Sequence, residues 1–140
     1  MKNIAIILCL LLTACSEQLA NSDPLMRAQQ QGNWAVINYW AEWCKPCITE
    51  IPELNSFDQQ HPNIEVLGVN YDGETDEVLA QQIKKLNIQF PVLPQDPATI
   101  LGIERPQVLP TTVIVNPQGV VVDVLLGPQT EDSLRSAIKG

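Results

Sequence analysis

A pair of cysteines, Cys44 and Cys47, stands directly after a short apolar run, and this junction narrows the possible folds sharply. The run extends from Ala35 to Trp40, and its length and lack of polar alternation are typical of a strand buried in a sheet that is covered on both faces. From Cys44 to about Gln60, apolar side chains recur at spacings of three residues, which predicts one face of a helix: Ile48, Ile51, Leu54 and Phe57. The cysteines therefore mark the point where a buried strand passes into a helix, which Pro52 should kink.

Strands and helices are predicted to alternate through the middle of the chain. The run Ile64 to Tyr71 predicts a second central strand. Thr75, followed by two acidic residues, opens a helix that would turn four apolar residues towards the core: Val78, Leu79, Ile83 and Leu86. Phe90 to Leu93 follows as a short strand or an extended piece, and Ala98 to Ile103 as a short helix.

The C-terminal part is predicted to be a β-hairpin followed by a helix. Thr111 to Val115 and Val120 to Leu126 are rich in β-branched residues, and Asn116 to Gly119 between them supplies proline and glycine for the turn. Thr130 can cap a final helix whose inner face consists of three residues: Leu134, Ala137 and Ile138. With 140 residues, the chain is long enough for one compact domain but short for two.

The spacing of the two cysteines suits disulfide exchange. Cys44 lies at the predicted N-terminus of the helix, where unpaired amide groups and the helix dipole stabilise a thiolate. Cys47 lies about one turn further on, so it can attack a mixed disulfide and release the substrate. Lys45 adds positive charge between them, and Pro46 lacks an amide hydrogen where that hydrogen would have no helical partner. The pattern predicts a redox disulfide in which Cys44 attacks and Cys47 resolves.

The N-terminus has the parts of a secretory signal. Lys2 is followed by the apolar run Ile4 to Leu12 and then by small residues, and the run is too short to span a membrane as a helix. The segment Leu12 to Cys15 resembles a bacterial lipobox, which implies that the preceding residues are removed and that Cys15 carries a lipid. An ordinary cleaved signal, or an apolar helix with two incidental cysteines, is the alternative.

A lipobox would divide the chain into three parts: residues 1–14 as the signal peptide, residues 15–24 as a lipidated tether and residues 25–140 as the folded domain. Cys9 would be discarded with the signal and Cys15 consumed by lipidation, which leaves Cys44 and Cys47 as the free pair. Export would place that pair outside the reducing cytosol, where a structural disulfide can persist as well as a catalytic one.

Other roles for the cysteine pair fit the sequence less well. A structural zinc site normally takes four ligands, and the one histidine of the chain, His61, is predicted to be a solvated residue at a helix end. A structural disulfide that closes so short a loop would stabilise the fold little. The net charge of −8, without a basic stripe, opposes the binding of nucleic acid. Neither a metal nor another cofactor is expected.

The residues around the cysteines resemble the active site of thioredoxins, over Val36 to Cys47 and at Pro52. More narrowly, Glu50 to Leu54 and Leu109 to Thr112 are similar to segments of the TlpA/ResA-like branch of exported thioredoxin-family proteins. The resemblance implies an α/β, thioredoxin-like three-layer fold with a central mixed sheet and a C-terminal β-hairpin. It also implies a TlpA-type central insertion of a strand and a helix at roughly Thr75 to Leu93.

The resemblance also implies roles for residues outside the cysteine pair. Pro110 matches a proline that the family carries in cis facing the cysteines, and Leu109 would help to set substrate fit, while Trp43 would shape the same surface. Asn38 stands where thioredoxins carry a buried aspartate that helps to move the proton of the resolving cysteine, and asparagine cannot titrate. Glu50 matches a glutamate that the branch places beside its cysteines and is the candidate for this proton transfer; a solvated helix glutamate is the alternative.

The function implied is that of an exported oxidoreductase that reduces protein disulfides and is recharged by a membrane thiol-disulfide electron donor. Some relatives serve cytochrome c maturation. The lipid on Cys15 would hold the domain at the periplasmic side of a bacterial membrane, and Ser16 after it favours the outer membrane. A disulfide oxidase of the same fold, a copper or zinc binding module and a thiol peroxidase remain the alternatives.

Overall fold

The computed structural model describes residues 23–139, which contain a mixed four-stranded sheet of order β2-β1-β3-β4. Strand β1 (Trp34–Trp40) pairs in parallel with β2 (Ile64–Asn70) and antiparallel with β3 (Thr111–Val115). Strand β4 (Val121–Leu126) forms the hairpin with β3 and occupies one edge. The mixed sheet and the C-terminal hairpin are confirmed, and β1 lies at the centre.

Five helices accompany the sheet within these residues: α1 (Pro24–Gln30), α2 (Lys45–Gln60), α3 (Asp76–Lys85), α4 (Ala98–Leu101) and α5 (Glu131–Lys139). Helix α1 was not predicted. Its start follows from local chemistry, because the Asp23 carboxylate accepts a hydrogen bond from the Leu25 amide at 2.8 Å and Pro24 occupies the first turn. The expected lipid site at Cys15 and the signal peptide lie outside the described residues.

Alternate side chains of β1 enter two different hydrophobic layers. Val36 and Trp40 face α2 and α5, in a cluster completed by residues of the helices and of β2 and β3: Ile51, Leu54, Phe57, Val66, Ile114 and Leu134. Ile37 and Tyr39 face the opposite side, where they pack with Leu25 of α1 and neighbouring residues. Helices therefore cover both faces of the sheet, as the three-layer prediction required.

The inserted segment after β2 differs from its predicted form in two respects. Val78 was expected to face the core but is 49% exposed, whereas Gln82 is the buried residue of α3. Phe90 to Leu93, predicted as a short strand or an extended piece, contributes a single parallel bridge between Val92 and Gly68 where the resemblance implied a strand, with the Gly68 amide bonded to the Pro91 carbonyl at 2.8 Å. The segment therefore adds a helix and one bridge to the outer edge of β2.

Helix α2 shows smaller departures at its two ends. Ile48, predicted on the buried face, is exposed in the first turns, and Pro52 lies inside the helix. His61, predicted to be solvated, follows the last turn but is half-buried, with its ring edge-on to Phe57 at a centroid distance of 4.4 Å. Packing against Phe57 explains why this histidine is withdrawn from water.

None of the helices within residues 23–139 is both long and apolar enough to cross a membrane.

Candidate redox site

Cys44 and Cys47 form a disulfide at the junction between β1 and α2, with their Cα atoms 5.3 Å apart. Strand β1 ends at Trp40, and the Cys44 amide donates to the Ala41 carbonyl at 3.1 Å. Cys44 is the N-cap residue of α2, and the Cys47 amide donates to its sulfur at 3.3 Å. The predicted pairing and the placement of Cys44 at the helix N-terminus are both present.

This arrangement favours negative charge on the Cys44 sulfur. An amide that already points at the sulfur in the disulfide can stabilise the thiolate after reduction, and the helix dipole acts in the same direction. Pro46 occupies the first turn, where its missing amide hydrogen costs no helical bond, and Lys45 is exposed beside it. Both cysteines are buried, with Cys44 at 5% and Cys47 at 1% exposure.

Glu50 lies one turn beyond Cys47 and is only 2% exposed. One carboxylate oxygen accepts a hydrogen bond from the Asn38 amide at 2.7 Å, and the other accepts from the Gln129 backbone amide at 2.8 Å. Burial raises the pKa of Glu50 above its ordinary value, and the two hydrogen bonds offset only part of that effect. The alternative of a solvated helix glutamate is wrong, because this carboxyl group is buried and bonded to Asn38 and Gln129.

Asn38 links Glu50 to the strand that begins just after the predicted cis-proline. Its side-chain amide donates to Glu50 and also to the Thr112 hydroxyl at 3.1 Å. The side-chain oxygen of Asn38, Oδ1, is buried and has no hydrogen-bond partner among the described residues. The neutral Asn38 side chain thus donates a hydrogen bond to Glu50. A second carboxylate at position 38 would instead repel the Glu50 carboxylate.

The Leu109–Pro110 peptide bond is cis, as the family resemblance implied. The Pro110 carbonyl accepts a hydrogen bond from the Gly127 amide at 2.9 Å, which ties the start of β3 to the end of β4. Leu109 is half-buried and packs against the hydrophobic cluster that contains both cysteines. Leu109 also packs against the cluster on the opposite face of the sheet, so it lies where the two layers meet.

Trp43 is 66% exposed, and its indole nitrogen donates to the Asp72 carboxylate at 2.9 Å. The preceding residue, Glu42, bonds to two residues of α3: Gln82 at 3.3 Å and Lys85 at 2.6 Å. Sequence reasoning missed Glu42, Asp72, Gln82 and Lys85. No local pattern could have found these residues, because three of them are about thirty or forty positions from the loop they contact.

Within residues 23–139 no group of three or more histidine, cysteine, aspartate or glutamate side chains is placed to hold a metal ion.

A thioredoxin-like fold with a Cys-x-x-Cys pair at the start of a helix defines the class. Residues 15–124 match the model of the AhpC/TSA family, and the chain belongs to that family. The thiol-disulfide oxidoreductase ResA of Bacillus subtilis (strain 168) is 31% identical over 116 residues, which cover 81% of this chain and 64% of that protein. ResA of Bacillus thuringiensis (strain Al Hakam) is 29% identical, with 78% of this chain and 64% of that protein covered. The resemblance to the TlpA/ResA-like branch is confirmed.

Solved structures agree with this placement. StoA from Bacillus subtilis superposes with a TM-score of 0.62 and 25% identity, covering 76% of this chain and 82% of that chain. A DsbF homologue from Corynebacterium diphtheriae gives a TM-score of 0.66 and 26% identity, with coverage of 77% and 71%. The curated ResA relatives are longer, and the matched part of this chain spans 64% of their length.

Proposed function

We propose that the protein is a thiol-disulfide oxidoreductase that reduces disulfides in exported proteins. The observation that carries the proposal is the buried Cys44–Cys47 disulfide. Cys44 caps α2, and its sulfur accepts a hydrogen bond from the Cys47 amide. In the reduced protein, the Cys44 thiolate attacks a substrate disulfide, forms a mixed disulfide and releases one substrate thiolate. Cys47 then attacks Cys44, which releases the second substrate thiolate and restores the protein disulfide. Two electrons pass from protein to substrate.

Glu50 is proposed to accept the proton that Cys47 must lose before it attacks. Support comes from its position one turn after Cys47, its burial and its raised pKa, which brings the carboxyl group closer to the pKa of a thiol. Asn38 and Gln129 would fix the carboxylate in place through their hydrogen bonds. Leu109, Pro110 and Trp43 are proposed to form the surface that receives the substrate polypeptide.

The cellular setting completes the proposal. Residues 1–14 would act as a lipoprotein signal and Cys15 would carry the lipid, which would place the domain on the periplasmic side of a bacterial membrane. Ser16 favours sorting to the outer membrane. A membrane thiol-disulfide relay would return electrons to the cysteine pair, and cytochrome c maturation is one process that uses such reductants.

The test is insulin disulfide reduction by the purified protein, together with its redox equilibrium against glutathione. A reductase should lose activity in both Cys44→Ser and Cys47→Ser and should have a potential near that of thioredoxin, about −270 mV. A potential near about −120 mV would assign the protein to disulfide oxidation instead. Absence of exchange in the wild-type protein, with tight retention of copper or zinc, would reject the oxidoreductase assignment.

A further inference from the structure

The loop before Cys44 is attached to α3 through Glu42. The Glu42 carboxylate accepts hydrogen bonds from Lys85 Nζ at 2.6 Å and from Gln82 Nε2 at 3.3 Å. Gln82 is itself fixed, because its side-chain oxygen accepts from the buried Asn70 amide at 2.8 Å. The Glu42 carboxylate is thus held by one charged and one neutral donor, both presented by α3.

Trp43, the residue after Glu42, is also bonded to this part of the chain. The Trp43 indole donates to Asp72, which lies between β2 and α3. Glu42 and Trp43, the two residues before Cys44, are therefore both bonded to the stretch from Asp72 to Lys85. Lys85 belongs to the inserted segment. The Cα atoms of Glu42 and Cys44 are at most about 7 Å apart, because only two peptide units separate them.

A carboxylate on a residue two positions before Cys44 acts against the thiolate that reduction creates. Reduction of the disulfide by two glutathione molecules takes up two electrons and gives two thiols and one glutathione disulfide, and Cys44 is the sulfur held at the helix N-terminus. An unpaired Glu42 charge would disfavour that thiolate, and the Lys85 ammonium cancels much of the charge.

We propose that Lys85 is a positioning residue that sets the redox equilibrium of the cysteine pair through Glu42. The inference rests on the redox function proposed above and assigns a role in it to the inserted helix α3. Lys85 would act indirectly, because it neutralises and orients the carboxylate of a residue in the loop before Cys44.

Helix α3 offers a matched control for this role. Lys84 is adjacent, is also exposed and also lies in the last turn, but it forms no salt bridge with any residue in the range 23–139. Lys85→Met and Lys84→Met therefore remove the same charge from nearly the same place. The two variants differ in whether Glu42 loses its partner.

The experiment measures the equilibrium constant of each purified variant with reduced and oxidised glutathione. Lys85→Met should shift the equilibrium towards the protein disulfide by about threefold relative to Lys84→Met, the size expected of a partly exposed ion pair. Glu42→Gln should shift it the opposite way, towards the dithiol, because the opposing charge is gone while an acceptor for Gln82 remains. Melting temperatures should stay within a few degrees of the wild-type value.

The double variant decides whether Lys85 acts through Glu42. In the Glu42→Gln background, Lys85→Met should change the equilibrium no more than Lys84→Met does. Equal shifts from the two lysine variants in the wild-type background would overturn the proposal, as would a Lys85→Met shift that persists beside Gln at position 42. Insulin turnover by the wild-type protein reports on the proposed function separately, since the glutathione equilibrium can be measured whether or not insulin is reduced.

Discussion

The side-chain amide of Asn38 donates a 2.7 Å hydrogen bond to the carboxylate of Glu50, and both residues are buried. Asn38 comes from the central strand and Glu50 from the helix that carries the cysteines. A carboxyl group that would be costly to bury alone is thus held by a neutral donor. The pair defines how the interior beside the disulfide should respond to pH and to mutation.

The Glu50→Gln variant should lose a pH dependence of stability that the wild-type protein has. Because the pKa of Glu50 is raised in the folded state, the unfolded chain ionises first as pH increases. The wild-type protein is therefore most stabilised below about pH 4.3 and loses that contribution as pH rises through the folded pKa. Urea unfolding of both proteins from pH 4 to pH 8 should show that the unfolding free energy of the wild-type protein falls, relative to that of the variant, as pH rises. A constant difference would contradict the raised pKa.

Glu50→Gln should also slow the release of the substrate. Gln at this position can accept a hydrogen bond from the Gln129 backbone amide. It can also donate to the unpaired Asn38 side-chain oxygen once the Asn38 side chain rotates, so the fold should be retained. Loss of the proton acceptor should lower turnover by about 100-fold, the lower range of general acid–base catalysis. The formation of the mixed disulfide at Cys44 should proceed at its normal rate in a stopped-flow assay. Equal slowing of both steps would point to a damaged site instead.

Asn38→Asp should destabilise the protein in a pH-dependent manner. The new carboxyl group would stand against Glu50 without an additional cation, so at least one of the two must remain protonated to be accommodated. At low pH both are neutral and the variant should resemble the wild-type protein. At pH 8 it should be less stable by about 3 kcal/mol, as for other uncompensated buried charges.

The exposed residue Asn63 provides the comparison for this change. Asn63→Asp adds the same charge at the surface and should leave the unfolding free energy within about 0.5 kcal/mol of wild type at both pH values. If Asn38→Asp were as stable as Asn63→Asp at pH 8, the close contact with Glu50 would be in error.

Cys47→Ser should trap a covalent complex with a disulfide substrate. Cys44 can still attack, but without the second sulfur the mixed disulfide has no internal route to resolution. Mass spectrometry of the variant after incubation with insulin should detect one substrate chain attached at Cys44. Cys44→Ser, treated identically, should capture little, and greater capture by Cys44→Ser than by Cys47→Ser would reverse the assigned roles.

Gly68→Ala should destabilise the sheet beside the redox loop. A Cβ atom at this position would lie 2.9 Å from Trp40 Nε1 and 3.1 Å from a ring carbon of Phe90. Such overpacking typically costs about 1–3 kcal/mol, measurable by chemical denaturation. The cost should be smaller in a Trp40→Phe background, where the indole nitrogen is absent. Identical costs in both backgrounds would show that the indole is not the obstacle.

Features that depend on neighbouring residues were predictable from the sequence. The strand before the cysteines, the helix that begins after Cys44 and the hairpin of β3 and β4 all follow from periodicity, turn residues or capping chemistry. Helix α1 was missed although Asp23 and Pro24 are ordinary start signals. The predicted tether ended at residue 24, where α1 begins, and the burial of Leu25 depends on a sheet that sequence patterns do not display.

Features that depend on contacts across the fold were not predictable. Asn38 and Glu50 were each singled out, but their hydrogen bond depends on how β1 and α2 are rotated towards each other. Likewise, α3 buries Gln82 in preference to Val78, because Gln82 finds a polar partner in Asn70 that no helical pattern reveals. The links from Glu42 to α3 belong to the same class.

The hydrogen bond from the Gln129 amide to Glu50 joins residues 79 positions apart. A ribosome makes the cysteines and Glu50 long before it makes Gln129, so a nascent or truncated chain can possess the reactive sulfurs without the group that anchors their carboxyl neighbour. The environment of the Glu50 carboxylate is consequently completed only when the residues before α5 have folded against α2.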